Sequence, residues 1–315
     1  MKPSELRVSE VAEPELLPGA VKIATRAAAL NFFDILIVQG RYQVKPPFPF
    51  VPGAELAGEV VAVGPGVSGL CEGDRVLTSS LLGGFAERAV VAEQDCIRIP
   101  EGMDFAHAAA LPIVYCTSYA ALVFRADLQA GETLLVHAAA GGVGLAAVQI
   151  GKARGARVIA TAGGADKLAV ALEHGADVGI DYRAEDFVAK VREATDGRGA
   201  DVIYDSVGGD VFERSLQCIA WNGRLLVIGF ASGEIPRVAL NRVLLKNISL
   251  VGLNWGGHAG SQPARVQATY DGLFELYAAG RIQPVVSARY ALDDLPKALE
   301  ALGSRGTWGK LVVEP

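Results

Sequence analysis

The sequence predicts an α/β chain in which a doubly wound parallel sheet is inserted into a smaller, barrel-like β unit. Three observations predict it. Residues 1–100 carry short strand-like runs punctuated by Gly and Pro. After residue 105, strand and helix patterns alternate, as in a parallel sheet covered on both faces. A glycine-rich turn ending at Gly144 separates a buried strand from a helix.

In the first part, Val21–Thr25 reads as an alternating strand after the turn Leu17-Pro18-Gly19. Leu56–Val63 is an apolar run closed by Gly64-Pro65-Gly66, and Asp74–Thr78 and Ala86–Val91 follow around Gly83-Gly84. Strands of this length and spacing suggest a compact barrel. Phe105–Phe124 has low charge, but His107, Pro112, Thr117 and Ser118 interrupt it. A buried helical connection is expected there, since a membrane span needs about 20 predominantly apolar residues.

Thr133–Ala138 then reads as a buried strand, followed by a helix running through Arg154. The strands Arg157–Thr161, Val178–Asp181, Asp201–Val207 and Arg224–Ile228 alternate with helices over Asp166–His174, Ala184–Thr195 and Val211–Ala220. A helix at Ala264–Ala279 and a strand at Leu311–Val313 close the chain. This last part is too short for a domain of its own and is expected to return to the first. The expected domains are therefore 1–113 with 256–315, and 114–255.

Length and composition agree. A chain of 315 residues suits about two domains, and 51% apolar with 20% charged residues allows a sizeable core. A net charge of -6 argues against nucleic acid or an anionic membrane as the main partner, and leaves a small molecule. Cys71, Cys96, Cys116 and Cys218 are scattered without a CxxC pair, and no secretory signal pattern opens the chain. Both point to a reducing, cytoplasmic setting.

The stretch from Thr133 to Leu145 carries the chemistry. Its strand runs into Ala138-x-x-Gly141-x-x-Gly144 and then a helix. Small residues let the backbone approach a pyrophosphate, and the helix start offers free N–H groups and positive dipole density. The backbone of Ala140, Gly141, Gly142, Val143 and Gly144 is the expected cradle for a dinucleotide. At the tip of the next strand, Ala160-Thr161-Ala162-Gly163-Gly164 holds no acid to bond a ribose 2′-hydroxyl. Gly163 leaves room there, and Lys167 follows to neutralise a 2′-phosphate, so NADPH is expected. The competing readings are Asp166 reaching back to a 2′-hydroxyl, or a plain helix start with Asp166 as cap and Lys167 in solvent.

Several further motifs belong with this loop: Ala29-Leu-Asn-Phe-Phe-Asp34, Val51-Pro-Gly-Ala-Glu-Leu-Ala-Gly58, Glu72-Gly-Asp-Arg-Val76, Asp201-Val-Ile-Tyr-Asp-Ser-Val-Gly208 and Gly309-Lys-Leu-Val-Val313. With them the chain resembles, over nearly its whole length, the quinone oxidoreductase (zeta-crystallin-like) branch of the medium-chain dehydrogenase/reductase superfamily. The resemblance implies a GroES-like catalytic domain around a Rossmann domain, and a homodimer. It also implies a catalytic group of Asn31, Asp34 and Tyr42. Thr117, Lys167, Tyr182, Gly229, Phe230, Leu253, Asn254 and Lys310 would be cofactor contacts. The chain opens about ten residues later than such relatives do, which is expected to reflect either a missing first barrel strand or a start placed too late.

Zinc-containing relatives place a Cys, a His and a Cys where this chain reads Leu30-Asn31, Gly53-Ala54-Glu55 and Leu111-Pro112-Ile113. Catalytic zinc needs about three protein ligands and an open position. No metal is therefore expected, and Cys116 is read as a buried thiol. Without zinc the acceptor must be electrophilic in itself or activated by hydrogen bonds. A quinone suits, with Asn31 and Tyr42 orienting its carbonyl. Reduction of an α,β-unsaturated thioester or alkenal, with Tyr42 as proton donor, and NADPH binding without turnover remain open.

Overall fold

The computed structural model describes residues 2–258 and 261–315. The chain divides into two compact units, Met1–Ile113 with Pro284–Pro315, and Val114–Gln283. The return to the first unit thus comes at 284 rather than 256. The cause is local: the helix Pro263–Ala278 lays Gly272 on the Tyr119 hydroxyl, and Gln283 N donates to Gln149 Oε1 at 2.9 Å. Both contacts hold 263–283 in the second unit.

The first unit opens with β1 (Ala20–Ala29), β2 (Glu55–Val63), β3 (Arg75–Ser79), β4 (Arg88–Ala92) and β5 (Cys96–Arg98). The second holds β6 (Thr133–Val136), β7 (Arg157–Ala162), β8 (Val178–Asp181), β9 (Ala200–Asp205), β10 (Ile219–Val227) and β11 (Ser249–Gly252). The chain ends in the first unit with β12 (Val286–Ala291) and β13 (Lys310–Glu314).

In the first unit the strand order is β12-β13-β1-β2-β3-β5, with β4 on β1. Among the described residues this sheet does not close into the expected barrel. Its long strand β1 forks instead, pairing β4 through Ala20–Ala24, β2 through Val21–Ala28 and β13 through Ala28 and Ala29. Register shifts at Lys22/Ile23 and Thr25/Ala27 bend it so that it can serve three neighbours. Ile23, Leu30, Leu56, Val76, Leu299 and Leu311 fill the core beneath. The β1–β13 pairing has a consequence for the site: it brings Lys310 beside Leu30 and Asn31.

The second unit is a six-stranded parallel sheet in the order β11-β10-β9-β6-β7-β8. Its order reverses between β6 and β9, the point at which such sheets open a ligand crevice at their carboxyl ends. Leu134, Leu135 and Val136 are fully buried, as continuous apolar strands in parallel sheets must be. The strand β10 begins at Ile219 rather than Arg224, and its register breaks between those residues. The helix expected from Ala184 starts at Phe187 because Asp186 caps it, accepting from Val188 N at 2.9 Å. Residues 105–125 are helical, α over Phe105–Ala109 and Cys116–Tyr119, and π over Leu111–Tyr115 and Ala120–Arg125. No helix among the described residues is long and apolar enough to cross a membrane.

Candidate active site

Most of the expected cofactor residues leave the carboxyl ends of the parallel strands in the second unit. The turn after β6 carries Ala140–Gly144, and Gly163 follows β7. Tyr182 follows β8, Gly229 and Phe230 follow β10, and Leu253 and Asn254 follow β11. The loops after β9 and β10 lie on each other, with Ala231 N donating to Ser206 O at 3.1 Å and Ser232 N to Val207 O at 3.0 Å.

In the turn after β6, Ala138 sits at φ 49°, a left-handed conformation uncommon for a residue with a Cβ. Bonds on both sides impose it: His137 N donates to Tyr204 O and Ala139 N to Thr161 O. The helix Gly142–Ala153 then starts so close to the turn that a Cβ on Gly144 would lie 2.3 Å from Ala138 O. Glycine at 144 is thus a steric requirement. The open backbone and the helix start fit a pyrophosphate.

Buried polar groups brace this turn from below. His137 is 1% exposed, its Nδ1 2.9 Å from Thr161 Oγ1 and its Nε2 2.8 Å from Ser215 Oγ. Burial, with a smaller push from Arg214, drops its pKa to about 3, so the imidazole is neutral. Ser118, next to Thr117, donates within its helix to Val114 O or to Val143 O of the turn, and its Oγ lies 2.8 Å from Tyr204 Oη. Thr117 itself is half-buried in the short α segment between the two π segments.

The tip of β7 is closely packed. A Cβ on Gly163 would lie 2.7 Å from Tyr182 Oη and 2.8 Å from Arg183 Nε, so glycine lets both side chains close over the strand end. Asp181 fixes that closure by accepting from Gly164 N at 3.1 Å and Arg183 N at 3.0 Å. Lys167 is half-buried, and burial together with the Arg183 charge lowers its pKa. Two cations therefore crowd one strand tip, an arrangement that a phosphate dianion would relieve. Asp166 is exposed in the first turn of the helix Ala165–Glu173, whose N-cap is Gly164.

In the first unit, Asn31 lies at the center of a buried polar cluster. Its Nδ2 donates to Glu55 Oε1 at 2.8 Å, and its Oδ1 accepts from Lys310 Nζ at 2.8 Å. An ammonium on one side and a carboxylate on the other leave no ambiguity about which way the amide points. Lys310 Nζ also donates to Glu55 Oε1 and to Leu30 O, each at 2.6 Å. Glu55 Oε2 accepts from Ile113 N at 2.9 Å. The three donors of Lys310 are thus taken by protein acceptors. In this arrangement Lys310 braces Asn31.

Asp34 completes the cluster. Its Oδ2 accepts from Asn31 N at 2.7 Å, capping the helix Phe32–Val38, while its Oδ1 is buried with no partner among the described residues. Burial lifts the carboxyl to about 7, outweighing the Asn31 N–H and the Lys310 charge, with Glu55 adding to the rise. Tyr42 is half-buried in a loop and stacks on Phe33, with ring centroids 5.4 Å apart. Its hydroxyl has no hydrogen-bond partner among the described residues.

Glu55 was not a candidate in the sequence, although it follows the Ala54 that drew attention to a missing zinc ligand. Burial of a charge beside a β-strand start was the available signal, and it needed Lys310 to become readable. Among the described residues no group of three or more His, Cys, Asp or Glu is arranged to hold a metal ion.

Comparison with known proteins agrees with this geometry. Residues 142–276 match the family described as zinc-binding dehydrogenase, and residues 17–101 match the alcohol dehydrogenase GroES-like domain. The chain is 45% identical over 296 residues to the quinone oxidoreductase-like protein 2 homolog of Nematostella vectensis, covering 93% of this chain and 81% of that one. Escherichia coli quinone oxidoreductase, solved in complex with NADPH, superposes with a TM-score of 0.91 at 33% identity, covering 100% of this chain and 97% of the other. A 2-haloacrylate reductase superposes with a TM-score of 0.87 at 29% identity, over 100% and 96% of the two chains.

Proposed function

Because the chain belongs to the quinone oxidoreductase branch of the medium-chain dehydrogenase/reductase superfamily, we propose that it is an NADPH:quinone reductase that works without a metal. The observation that carries this reading is the fixed amide of Asn31. Its carbonyl is held by Lys310 and one of its N–H bonds by Glu55, which leaves the second N–H as a donor of set direction.

Bound NADPH would supply the hydride, held by the turn 140–144, Thr117, Gly163, Tyr182, Gly229, Phe230, Leu253 and Asn254, with Lys167 and Arg183 on the 2′-phosphate. Hydride addition to a quinone places negative charge on its oxygen. The Asn31 N–H stabilises that charge, and the hydroquinone anion takes its proton from water. Asp34 acts on Asn31, gripping its backbone N–H, rather than on the acceptor. No zinc is needed for an acceptor this electrophilic, and Leu30-Asn31, Gly53-Ala54-Glu55 and Leu111-Pro112-Ile113 stand where zinc-containing relatives place ligands.

A second reading rests on Tyr42. Its unpartnered hydroxyl on a ring held by Phe33 suits proton delivery to carbon in the reduction of an activated double bond, and a 2-haloacrylate reductase is among the structural relatives. We also infer a homodimer in the cytoplasm. The edge strand β11 and the exposed Leu240, Leu244 and Leu245 offer a surface for a second copy, and among the described residues no two of the four cysteines form a disulfide.

Side-by-side assays of NADPH consumption test the assignment. Faster turnover with 1,4-benzoquinone than with crotonyl thioester supports the quinone. A faster thioester rate that Tyr42→Phe abolishes moves the assignment to double-bond reduction, and no acceleration by either leaves cofactor binding without turnover. Lys167→Glu should weaken NADPH by about tenfold or more while sparing NADH; equal loss for both would remove Lys167 from the 2′-phosphate. Light scattering that returns one chain would remove the dimer.

A further inference from the structure

The second unit carries another pocket, at the amino ends of β9 and β10 and so at the opposite edge of the sheet from the nucleotide turn. It has a volume of about 210 Å³ and is lined by Arg192, Arg198, Lys246, Gln217, Cys218 and the exposed Trp221 among others. In a chain of net charge -6, three cations share this recess. None of them is paired with a carboxylate among the described residues. The nearby Asp186 is taken by Arg214 at 2.7 Å.

Part of this charge has a structural use. Arg192 donates through Nε and Nη2 to Gln217 O at 3.1 and 2.6 Å, and Lys246 Nζ donates to Leu216 O at 2.8 Å. Both close the carboxyl end of the helix Gly209–Cys218. Arg198 has no such task. Its loop is pinned by backbone bonds, Gly197 N to Arg192 O at 2.8 Å and Arg198 N to Thr195 O at 3.0 Å, and by Gly199 N to Thr195 Oγ1 at 2.9 Å. The guanidinium has no partner among the described residues.

We propose that this recess is a second ligand site, which takes a small organic phosphate carrying a planar ring. The phosphate would lie between Arg198 and the unused donors of Arg192 and Lys246, and the ring would lie on Trp221. Arg198 offers its forked donors whole, the geometry that phosphate oxygens accept, and Arg192 adds Nη1. Burial and the neighbouring Arg192 and Arg242 charges lower the pKa of Lys246, so the cations oppose one another until an anion arrives. The site shares no residue with the nucleotide-binding loops, and it does not depend on which acceptor the enzyme reduces.

The test uses full-length protein saturated with NADPH, so that the nucleotide turn is filled. Adenosine 5′-monophosphate is titrated and followed by tryptophan fluorescence and by calorimetry, with adenosine and inorganic phosphate as controls. The expected result is saturable sub-millimolar binding of the monophosphate, weaker binding of inorganic phosphate and none of adenosine. Arg198→Glu and Arg198→Gln should each weaken binding by about tenfold or more, with unchanged thermal melting of the ligand-free protein. Trp221→Phe should remove the fluorescence signal while calorimetry still reports binding. No saturation up to roughly 10 mM, equal affinity in the Arg198 variants, or an adenosine affinity equal to that of the monophosphate would each overturn the site.

Discussion

Lys310 donates to Glu55 Oε1 at 2.6 Å, and the two side chains are 4% and 0% exposed. An ion pair this deep stabilises little on balance, because desolvating both charges offsets most of their attraction. Breaking it is another matter, since the remaining charge is then buried alone. Lys310→Met and Glu55→Leu should each lower unfolding free energy by about 3–5 kcal/mol. The double variant should lose clearly less than the sum of the two. Urea denaturation of all four proteins measures this, and simple additivity would show that the pair does not act as a unit. The same variants free the Asn31 amide, so NADPH-dependent turnover should fall even where folding recovers.

Burial raises the Asp34 carboxyl from an ordinary 3.8 to about 7. A raised folded pKa means that its contribution is complete below the unfolded value and is lost as pH climbs toward 7. Between about pH 4 and 7 it should remove up to about 1.4 kcal/mol per pH unit. In Asp34→Asn the amide oxygen can still accept from Asn31 N, and nothing ionises. Unfolding measured at pH 4.5 and 7.5 should therefore show a smaller loss toward neutrality than in the wild type. An unchanged difference would mean that Asp34 ionises normally.

His137 pulls the other way. Its pKa is about 3 in the folded chain and 6.5 ordinarily, so the unfolded chain binds a proton that the folded one refuses. Stability is kept above about pH 6.5 and falls on acidification toward 3, by up to about 1.4 kcal/mol per pH unit. His137→Gln, which does not titrate, should flatten that fall. Summed over the chain, the slopes of Asp34 and His137 oppose each other between about pH 4 and 6.5. Asp34→Asn should accordingly show a steeper acid-side loss than the wild type. Finding that His137→Gln and wild type fall equally with acid would place the histidine's proton elsewhere.

The legible and illegible parts of this chain differ by how far apart their determinants lie. The nucleotide unit was largely readable because its inner parallel strands carry apolar runs of their own, such as residues 134–136 and 202–204, and each loop follows immediately. The edge strands β11 and β12 were not, being four residues long in one case and only part-buried in the other. The open sheet of the first unit also escaped, since spacing says that strands are short and near one another but not that β1 serves three partners. At the site, Asn31 and Asp34 stood out as a local motif. Their controlling pair did not: Lys310 was read only as a cofactor contact and Glu55 not at all, because the two are 255 positions apart and meet only through the pairing of β1 with β13 and β2.

The turn after β6 yields the most graded expectation. A methyl group at Gly144 would meet Ala138 O at 2.3 Å and Ala139 Cα at 2.8 Å, both backbone atoms braced by His137 and Thr161, so neither can yield cheaply. At Gly141 the same methyl group would stand 3.3 Å from Ala138 O, a tight contact that a shift of a few tenths of an ångström relieves. Gly144→Ala must therefore displace either the helix start or the turn, and with it the N–H groups proposed to hold the pyrophosphate. It should weaken NADPH by well over tenfold, whereas Gly141→Ala should cost only a few-fold. Fluorescence titration of NADPH against the two variants reads the difference. Equal affinities would mean that the crowding at Gly144 is absorbed elsewhere and that the turn does not shape the phosphate site.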